Sequence, residues 1–357
     1  MPKRPTEVKQ RVKRADVALE AGVSTATVSY VLNRTKRLTP EVEKRVVDAA
    51  KRLNYVPNRT IHSLSRDTSN TLGIITADLT NLYQLDVIKG LQAEAHENDY
   101  ILTIVDASGD VDKYVQHLIS SHIVGIFVSA APDFLSDQHL IALRDAGIKV
   151  LTDFARSTYL PDISYIMSDM FDGFLQAVTA LQELGHEKIG YLSAFDESCY
   201  YDMRLSAFKV AISKRFAGSV PIIEYGGWPY VSSEQLGAKL MHKMLDEHPE
   251  VTAVIATNDL MAIGALEAAR AAGRRIPEDI SVIGVDNIGR SAETDPPLTT
   301  LDQSGRQFGA KIFHILYENI TENTSGKYIL PMRLIRRGST GPAPKRKEES
   351  KDPNADV

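Results

Sequence analysis

The spacing of hydrophobic positions changes once along the chain, near residue 70. Before that point apolar residues recur at helical spacing in three short segments. Val17, Ala18 and Ala21 share one side of a segment over 13–21, which Gly22 ends as a left-handed stop. Ser24 offers a hydroxyl N-cap to a second helix over 25–32, whose Val28, Val31 and Leu32 face inward. A third begins with Thr39 as cap and Pro40 in its first turn, then carries Val42, Val46, Ala49, Ala50 and Leu53 on one face. Two helices joined through Gly22 by a three-residue turn predict a helix-turn-helix, although a generic three-helix packing unit shares the pattern.

From Leu72 onward, apolar runs alternate with amphipathic stretches. Residues 72–76, 101–105, 123–128, 149–152, 189–192, 222–225, 253–256 and 281–285 read as buried strands. Segments such as 85–98, 174–184, 236–245 and 258–272 read as helices between them. Repeated strand-helix units imply parallel sheet, and some 270 residues of it imply two lobes. Ligands of open α/β sheets lie beyond the carboxyl ends of the strands, so residues just after each run are the candidates for chemistry. Residues 1–11 are charged and interrupted by proline, which predicts a flexible arm, and residues 341–357 predict a disordered tail without a heptad repeat.

Charge sharpens this division. The 357 residues carry a formal net charge of −5, but residues 1–66 hold 15 Lys/Arg and 6 Asp/Glu, against 26 and 40 in the remainder. The amino-terminal end therefore attracts polyanion through counterion release, and the rest is repelled by it. A solvated basic arm would show the same arithmetic, but the helix-turn-helix makes DNA the better reading, because the flank Thr25, Ala26, Ser29, Tyr30 stays outside the small core and can enter a major groove. One cysteine, Cys199, excludes a disulfide framework or thiolate cluster and suits a reducing compartment. No stretch approaches the ~18 apolar residues of a membrane helix and no export core opens the chain, so a soluble cytoplasmic protein is expected.

Several separated motifs then point to one family. They are Asp16-Val17-Ala18, Ala21-Gly22-Val23-Ser24, Thr27-Val28-Ser29, Val31-Leu32-Asn33 and Leu53-Asn54-Tyr55-Val56-Pro57-Asn58, followed by Leu184-Gly185-His186, Thr257-Asn258-Asp259-Leu260-Met261-Ala262, 276–284, Pro296-Pro297-Leu298-Thr299-Thr300 and Arg337-Gly338-Ser339-Thr340. Over about 14–340 the chain resembles the lactose-repressor-like (LacI/GalR) transcription regulators. The resemblance implies an all-α helix-turn-helix headpiece followed by an α/β, two-lobed, periplasmic-binding-protein-like sensor domain of doubly wound parallel sheets. Its expected boundaries are an arm over 1–11, a headpiece over 12–56, a hinge helix and linker over 57–70, and an effector-binding and dimerisation domain over 71–340. Within the last, the amino lobe takes 71–167 and 302–326, and the carboxyl lobe 168–299 and 327–340.

Residue by residue, the family's base-reading pair falls on Thr25 and Ala26, and its third reader, usually Arg, on Tyr30. Tyrosine cannot fork onto guanine as a guanidinium does, so the preferred base at that step differs. Ser24, Thr27 and Asn33 fall where the family positions itself on phosphate, which fixes register without carrying sequence information, while Ser29 belongs to the groove-facing flank with Thr25, Ala26 and Tyr30. The segment from Asn58 to Leu64 matches a hinge helix that lies in a minor groove. Leu64 takes the place of an apolar wedge that unstacks a base step, and Ile61 and His62 stand where the family usually carries small and basic residues. Leu64 as a lobe-packing residue is the alternative.

For the sensor, the resemblance places Tyr83, Gln84, Ser129 and Asp153 of the amino lobe and Arg204, Trp228, Asn258 and Asp286 of the carboxyl lobe around an effector. An indole face stacks on the C–H face of a pyranose, and Arg, Asn and carboxylate groups fork onto vicinal hydroxyls, so a carbohydrate is the expected ligand. Each residue has a plainer alternative: Trp228 between Gly227 and Pro229 as a loop cap, Asp259 and Asp286 as helix caps, Arg204 as a structural ion pair. Met170 replaces the Asn the family carries after Asp169.

Catalytic signatures are absent: the sequence has no Gly-x-Ser-x-Gly, Gly-x-Gly-x-x-Gly, phosphate-loop or His-Glu-x-x-His motif. His117 and His122 are five apart and do not share a helical face, so no metal or cofactor is expected. The resulting expectation is an allosteric, sequence-specific transcription regulator, a repressor, that binds a pseudo-palindromic double-stranded DNA operator as a homodimer and has no membrane partner. A solute-binding protein of sugar transport would share the two lobes but has no use for residues 1–66. A sugar or nucleotide enzyme would share the α/β core but needs a phosphate loop.

Overall fold

The two halves that differ in pattern are separate units in space, residues 1–69 and 70–357. The computed structural model describes residues 12–32, 36–55, 69–76, 79–107, 109–129, 135–153, 160–199, 202–227 and 232–345. The first unit has three helices, α1 (Arg14–Ala21), α2 (Thr25–Leu32) and α3 (Pro40–Arg52). They close on Val17, Val28, Val46 and Ala49, all fully buried. Gly22 adopts φ +62°, and the Val23 N–H donates to the Ala18 carbonyl, ending α1. The Thr27 N–H donates to Ser24 Oγ at 3.0 Å, which caps α2. Thr39 precedes α3 as expected, but its hydroxyl makes no capping bond. Pro40 at the first helical position starts that helix instead, with its φ already set and no N–H to satisfy.

The second unit contains two six-stranded sheets. The first is built from β1 (Thr71–Thr76), β2 (Ile101–Asp106), β3 (Gly125–Ser129), β4 (Lys149–Thr152), β5 (Ser164–Ser168) and β11 (Lys327–Leu330), in the order β11-β5-β4-β3-β1-β2. The second is built from β6 (Ile189–Ser193), β7 (Ile222–Tyr225), β8 (Ala253–Ala256), β9 (Ser281–Asp286), β10 (Thr299–Asp302) and β12 (Arg333–Ile335), in the order β12-β10-β9-β8-β6-β7. β12 runs antiparallel to β10, and the other pairs are parallel. Parallel strands need helical crossovers, here α4 (Leu82–Glu97), α5 (Val111–Ser120), α6 (Asp137–Asp145), α7 (Met170–Glu183), α8 (Met203–Arg215), α9 (Glu234–Glu247), α10 (Asp259–Ala271) and α11 (Gly305–Glu322). The chain passes between sheets after β5, after β10 and again after β11.

Three expectations are corrected. Residues 327–330 do not belong with the carboxyl lobe: β11 pairs with β5 in the first sheet, and the Gly326 N–H donates to the buried Ser164 Oγ at 3.0 Å. The chain returns to the second sheet only after Leu330. Residues 101–105 do not form a buried strand. β2 is an edge, and Ile101 and Ile104 remain 47% and 46% exposed. Nor does the tail begin at Gly341. The buried His186 ring is hydrogen-bonded to Thr252, to Ser281 and to the Gly341 carbonyl, while the Ala343 N–H donates to the Leu184 carbonyl at 2.8 Å. A desolvated imidazole needs partners on both nitrogens, and the 339–343 segment supplies one of them; burial also lowers the His186 pKa.

Each lobe also contains a helix pair whose backbones touch through reciprocal glycines. A Cβ on Gly90 of α4 would sit 2.0 Å from the Arg306 carbonyl oxygen of α11, and one on Gly309 would sit 2.0 Å from that of Val87. In the other lobe Gly237 of α9 faces the Met261 carbonyl and Gly264 of α10 faces that of Glu234, at 2.0 and 1.9 Å. Backbone cannot yield as a side-chain end can, so these positions admit only hydrogen. Gly264→Ala is therefore expected to destabilise the second unit by about 2–3 kcal/mol in chemical denaturation. A change below about 0.5 kcal/mol, within the range of neutral surface substitutions, would show that α9 and α10 separate freely.

Candidate ligand cleft and nucleic-acid interface

The carboxyl ends of both sheets face one cleft. From the first lobe come Tyr83 and Gln84 in the first turn of α4, Ser129 ending β3 and Asp153 following β4. Their grouping follows from parallel topology, which points each strand's last residue the same way. Gln84 Nε2 donates to Ser129 Oγ at 2.9 Å, and that hydroxyl donates to Asp153 Oδ2 at 2.5 Å. From the second lobe come Arg204 in the first turn of α8 and Asn258 after β8. The Asn258 side-chain oxygen accepts the Met261 N–H at 3.1 Å and so caps α10.

Asp286 is placed differently from the expectation. Its side chain is 1% exposed and lies behind the cleft wall. Its Oδ1 accepts Arg204 Nη2 at 3.1 Å and Gln303 Nε2 at 2.6 Å, and both of those donors line the cleft. Asp286 thus aims the wall rather than forming it. Burial pushes its carboxyl up to about 6, with the Arg204 charge and the Gln303 hydrogen bond opposing. Burial also raises Asp202, whose carboxylate accepts the Leu205 N–H at 3.0 Å as the N-cap of α8, and raises the Tyr83 hydroxyl. Gln84 Oε1 and Arg204 Nε are buried in the cleft and find no hydrogen-bond partner among the described residues.

The turn that carries Asp286 is strained. Asp286 and Asn287 have φ of 110° and 54°, a region that side chains rarely adopt. Asp259, fully buried, does not cap a helix; its carboxylate accepts the Ile288 N–H at 2.9 Å and the Thr300 hydroxyl at 2.6 Å. Arg337 donates to Asn287 Oδ1 and to the Leu298 carbonyl, each at 2.6 Å. Gly284 makes room, since a Cβ there would lie 2.1 Å from Asp259 Oδ1.

Apolar side chains complete the cleft: Met167, Met170, Met203, Phe195 and Phe308 line it. Met170, in the Asn position of the resemblance, belongs to this set. Gln303 and Asp202 were missed by sequence reading. Gln303 directly follows β10, a strand hidden in the Pro-Pro-Leu-Thr-Thr run, and Asp202 has the spacing of an Asx cap three residues before Leu205. Trp228 lies outside the described residues.

In the first unit, α2 buries Val28 and leaves Thr25, Ala26 and Tyr30 exposed, with Ser29 half-buried. Ser24 and Thr27 sit at its start with their hydroxyls 2.9 Å apart. Lys36 Nζ lies over the Tyr30 ring, 5.9 Å from its centroid. The other candidates, Asn33, Asn58, Ile61 and Leu64, lie outside the described residues.

A short helix-turn-helix ahead of two sheets that share a cleft matches known proteins along nearly the whole chain. Residues 15–58 match the bacterial regulatory proteins of the lacI family, and residues 178–340 match the periplasmic binding protein-like domain. The HTH-type transcriptional repressor PurR of Mannheimia succiniciproducens is 31% identical over 336 residues, covering 90% of this chain and 97% of that protein. This chain belongs to the LacI family. It is a DNA-binding transcriptional regulator and not an enzyme. The lac repressor dimer bound to operator and the anti-inducer ONPF superposes with TM-score 0.81 at 29% identity, covering 93% of this chain and all of that one. A CelR–cellobiose complex has TM-score 0.67 at 26% identity, covering 92% and 100%. Among the described residues, no helix is long and apolar enough to cross a membrane.

The raised Asp286 pKa has a consequence for this LacI-family chain's stability. The folded state holds the Asp286 proton up to about pH 6, whereas an unfolded carboxyl releases it near pH 4. The contribution is therefore fully present below about pH 4 and lost as pH rises through about 6, on the order of 3 kcal/mol in all. Asp286→Asn should remove this decline. Parallel stability-versus-pH curves for the two proteins between pH 4 and 7 would contradict the assignment.

Proposed function

We propose that the protein is a homodimeric transcriptional repressor, working in the cytoplasm on a pseudo-palindromic operator, whose affinity for DNA is set by a carbohydrate effector bound between the lobes. The observation that carries the effector reading is the cleft wall itself. Arg204 is pinned by Asp286 through one nitrogen and still holds a buried Nε, and Gln84 Oε1 faces it from the other wall, neither with a partner among the described residues. Donors and acceptors fixed on both walls, beside apolar side chains, suit a neutral polyol with an apolar face. Anions suit it less, because among the described residues the carboxylates of Asp153 and Asp202 line the cleft along with Arg204. The cellobiose in the CelR complex is a ligand of this kind in a related fold.

Effector binding acts only through differential affinity for the DNA-competent and incompetent states, so effector and operator must influence each other reciprocally. The effector assignment is checked by thermal shift against mono- and disaccharides, sugar phosphates and nucleobases. A neutral sugar should raise the Tm and change operator affinity in mobility shifts, and Arg204→Met should abolish both responses. Stabilisation by sugar phosphates or nucleobases alone would overturn the carbohydrate reading.

The dimer reading rests on β2. An edge strand, paired only with β1 and carrying two half-exposed isoleucines, is a liability unless its outer side is covered, and a second copy of the chain would cover it symmetrically. By resemblance, Leu64 wedges a central minor-groove step between the paired half-sites. Ile104→Lys should sediment as a monomer and lose operator binding, whereas Leu64→Ala should stay dimeric and lose operator far more than random duplex. A dimeric Ile104→Lys, or equal losses on both duplexes for Leu64→Ala, would reject the respective part.

A further inference from the structure

The exposed side of α2 lacks something that base recognition normally uses. Bidentate readout in the major groove needs a forked side chain: Arg or Lys on guanine, Asn or Gln on adenine, a carboxylate accepting from cytosine. Thr25, Ala26, Ser29 and Tyr30 offer none of these. They present a Thr methyl, an Ala methyl, a phenol ring and single hydroxyls. The inner side cannot contribute, since Val28 is fully buried and Val31 and Leu32 pack against the same small core.

Position strengthens the point. Ala26 and Tyr30 are four residues apart on one helix, so the methyl and the ring lie on one stripe. Tyr30 is 41% exposed, a large apolar surface for a unit of this size. Lys36 Nζ stands over its ring at 5.9 Å from the centroid, a cation–π distance that restrains the ring while Tyr30 stays exposed. The apolar substituent that base pairs display in the major groove is the thymine 5-methyl group.

We propose that Tyr30 reads thymine through this methyl group, with Ala26 and Thr25 extending the same methyl-reading strip, and that Lys36 is a positioning residue that holds the Tyr30 ring. This rests on α2 being the element that enters the major groove. The half-site facing α2 is then rich in A·T pairs with thymines at defined steps.

Selection of binding sites from a randomised duplex library by the full-length protein supplies the operator. Each half-site thymine is then replaced by deoxyuracil, which removes only the methyl, and affinity is measured by fluorescence anisotropy. Loss of one buried methyl contact should weaken binding about 3- to 5-fold at each contacted step. Tyr30→Phe should keep the thymine-over-uracil ratio. Tyr30→Ala should lower it to one at a single step while leaving the other steps unchanged, and Lys36→Met should reduce it at that step alone. Tyr30→Arg should move the selected base there to guanine. Selection of guanine or cytosine at the Tyr30 step by the unaltered protein, or equal affinity for thymine and uracil, would overturn the proposal. Should no α2 variant change the selected sequence, the placement of α2 in the groove fails as well, which separates the two readings.

Discussion

The buried carboxylate of Asp286 is the interaction on which the cleft depends. One oxygen receives both Arg204 and Gln303, so two wall residues take their direction from one atom behind them. That atom is held in place at a cost: left-handed backbone at a residue other than glycine is worth about 1–3 kcal/mol each. Such a turn persists only where surrounding bonds over-determine it. Asp259, Thr300 and Arg337 do so from three segments of the chain, and Gly284 vacates the space that Asp259 occupies.

Around this centre the two lobes use the same device. In each, a helix that starts at the cleft is locked to a neighbour by facing glycines, α4 to α11 in one and α9 to α10 in the other. Cleft residues such as Gln84 and Asn258 therefore sit on rigid pairs of helices instead of loops. The chain passes between the two sheets three times, near Ser168, Gln303 and Pro331, so three short segments join the lobes.

The charges are divided along the same lines as the folds. The amino-terminal unit carries the positive surplus and the remainder the negative one, so a polyanion is drawn to one unit and turned away from the other. The small unit has a core of a few valines and alanines. Its second helix keeps Thr25, Ala26 and Tyr30 outside that core, on the exposed surface.

The sequence by itself determined the division into two units and much of the element order. Period-3.6 patterns located α1, α2 and α3, and apolar runs located β1, β3, β4, β6, β8 and β9, because local spacing is enough to reveal a face that must leave water. Motifs in a fixed order also pointed to Tyr83, Gln84, Ser129, Asp153, Arg204 and Asn258, which the fold brings to one cleft. Tertiary structure alone decided the rest. Which strand is an edge depends on neighbours, so β2 looked as buried as β3. Short strands with polar ends, such as β5 and β11, are stabilised by distant partners like Ser164 and leave no local period. The retreat of Asp286 behind Arg204, the docking of Gly341 on His186 and the arrival of Gln303 at the cleft all arise from residues far apart in the chain, whose hydrogen-bonding needs are met only once the backbone has already been folded.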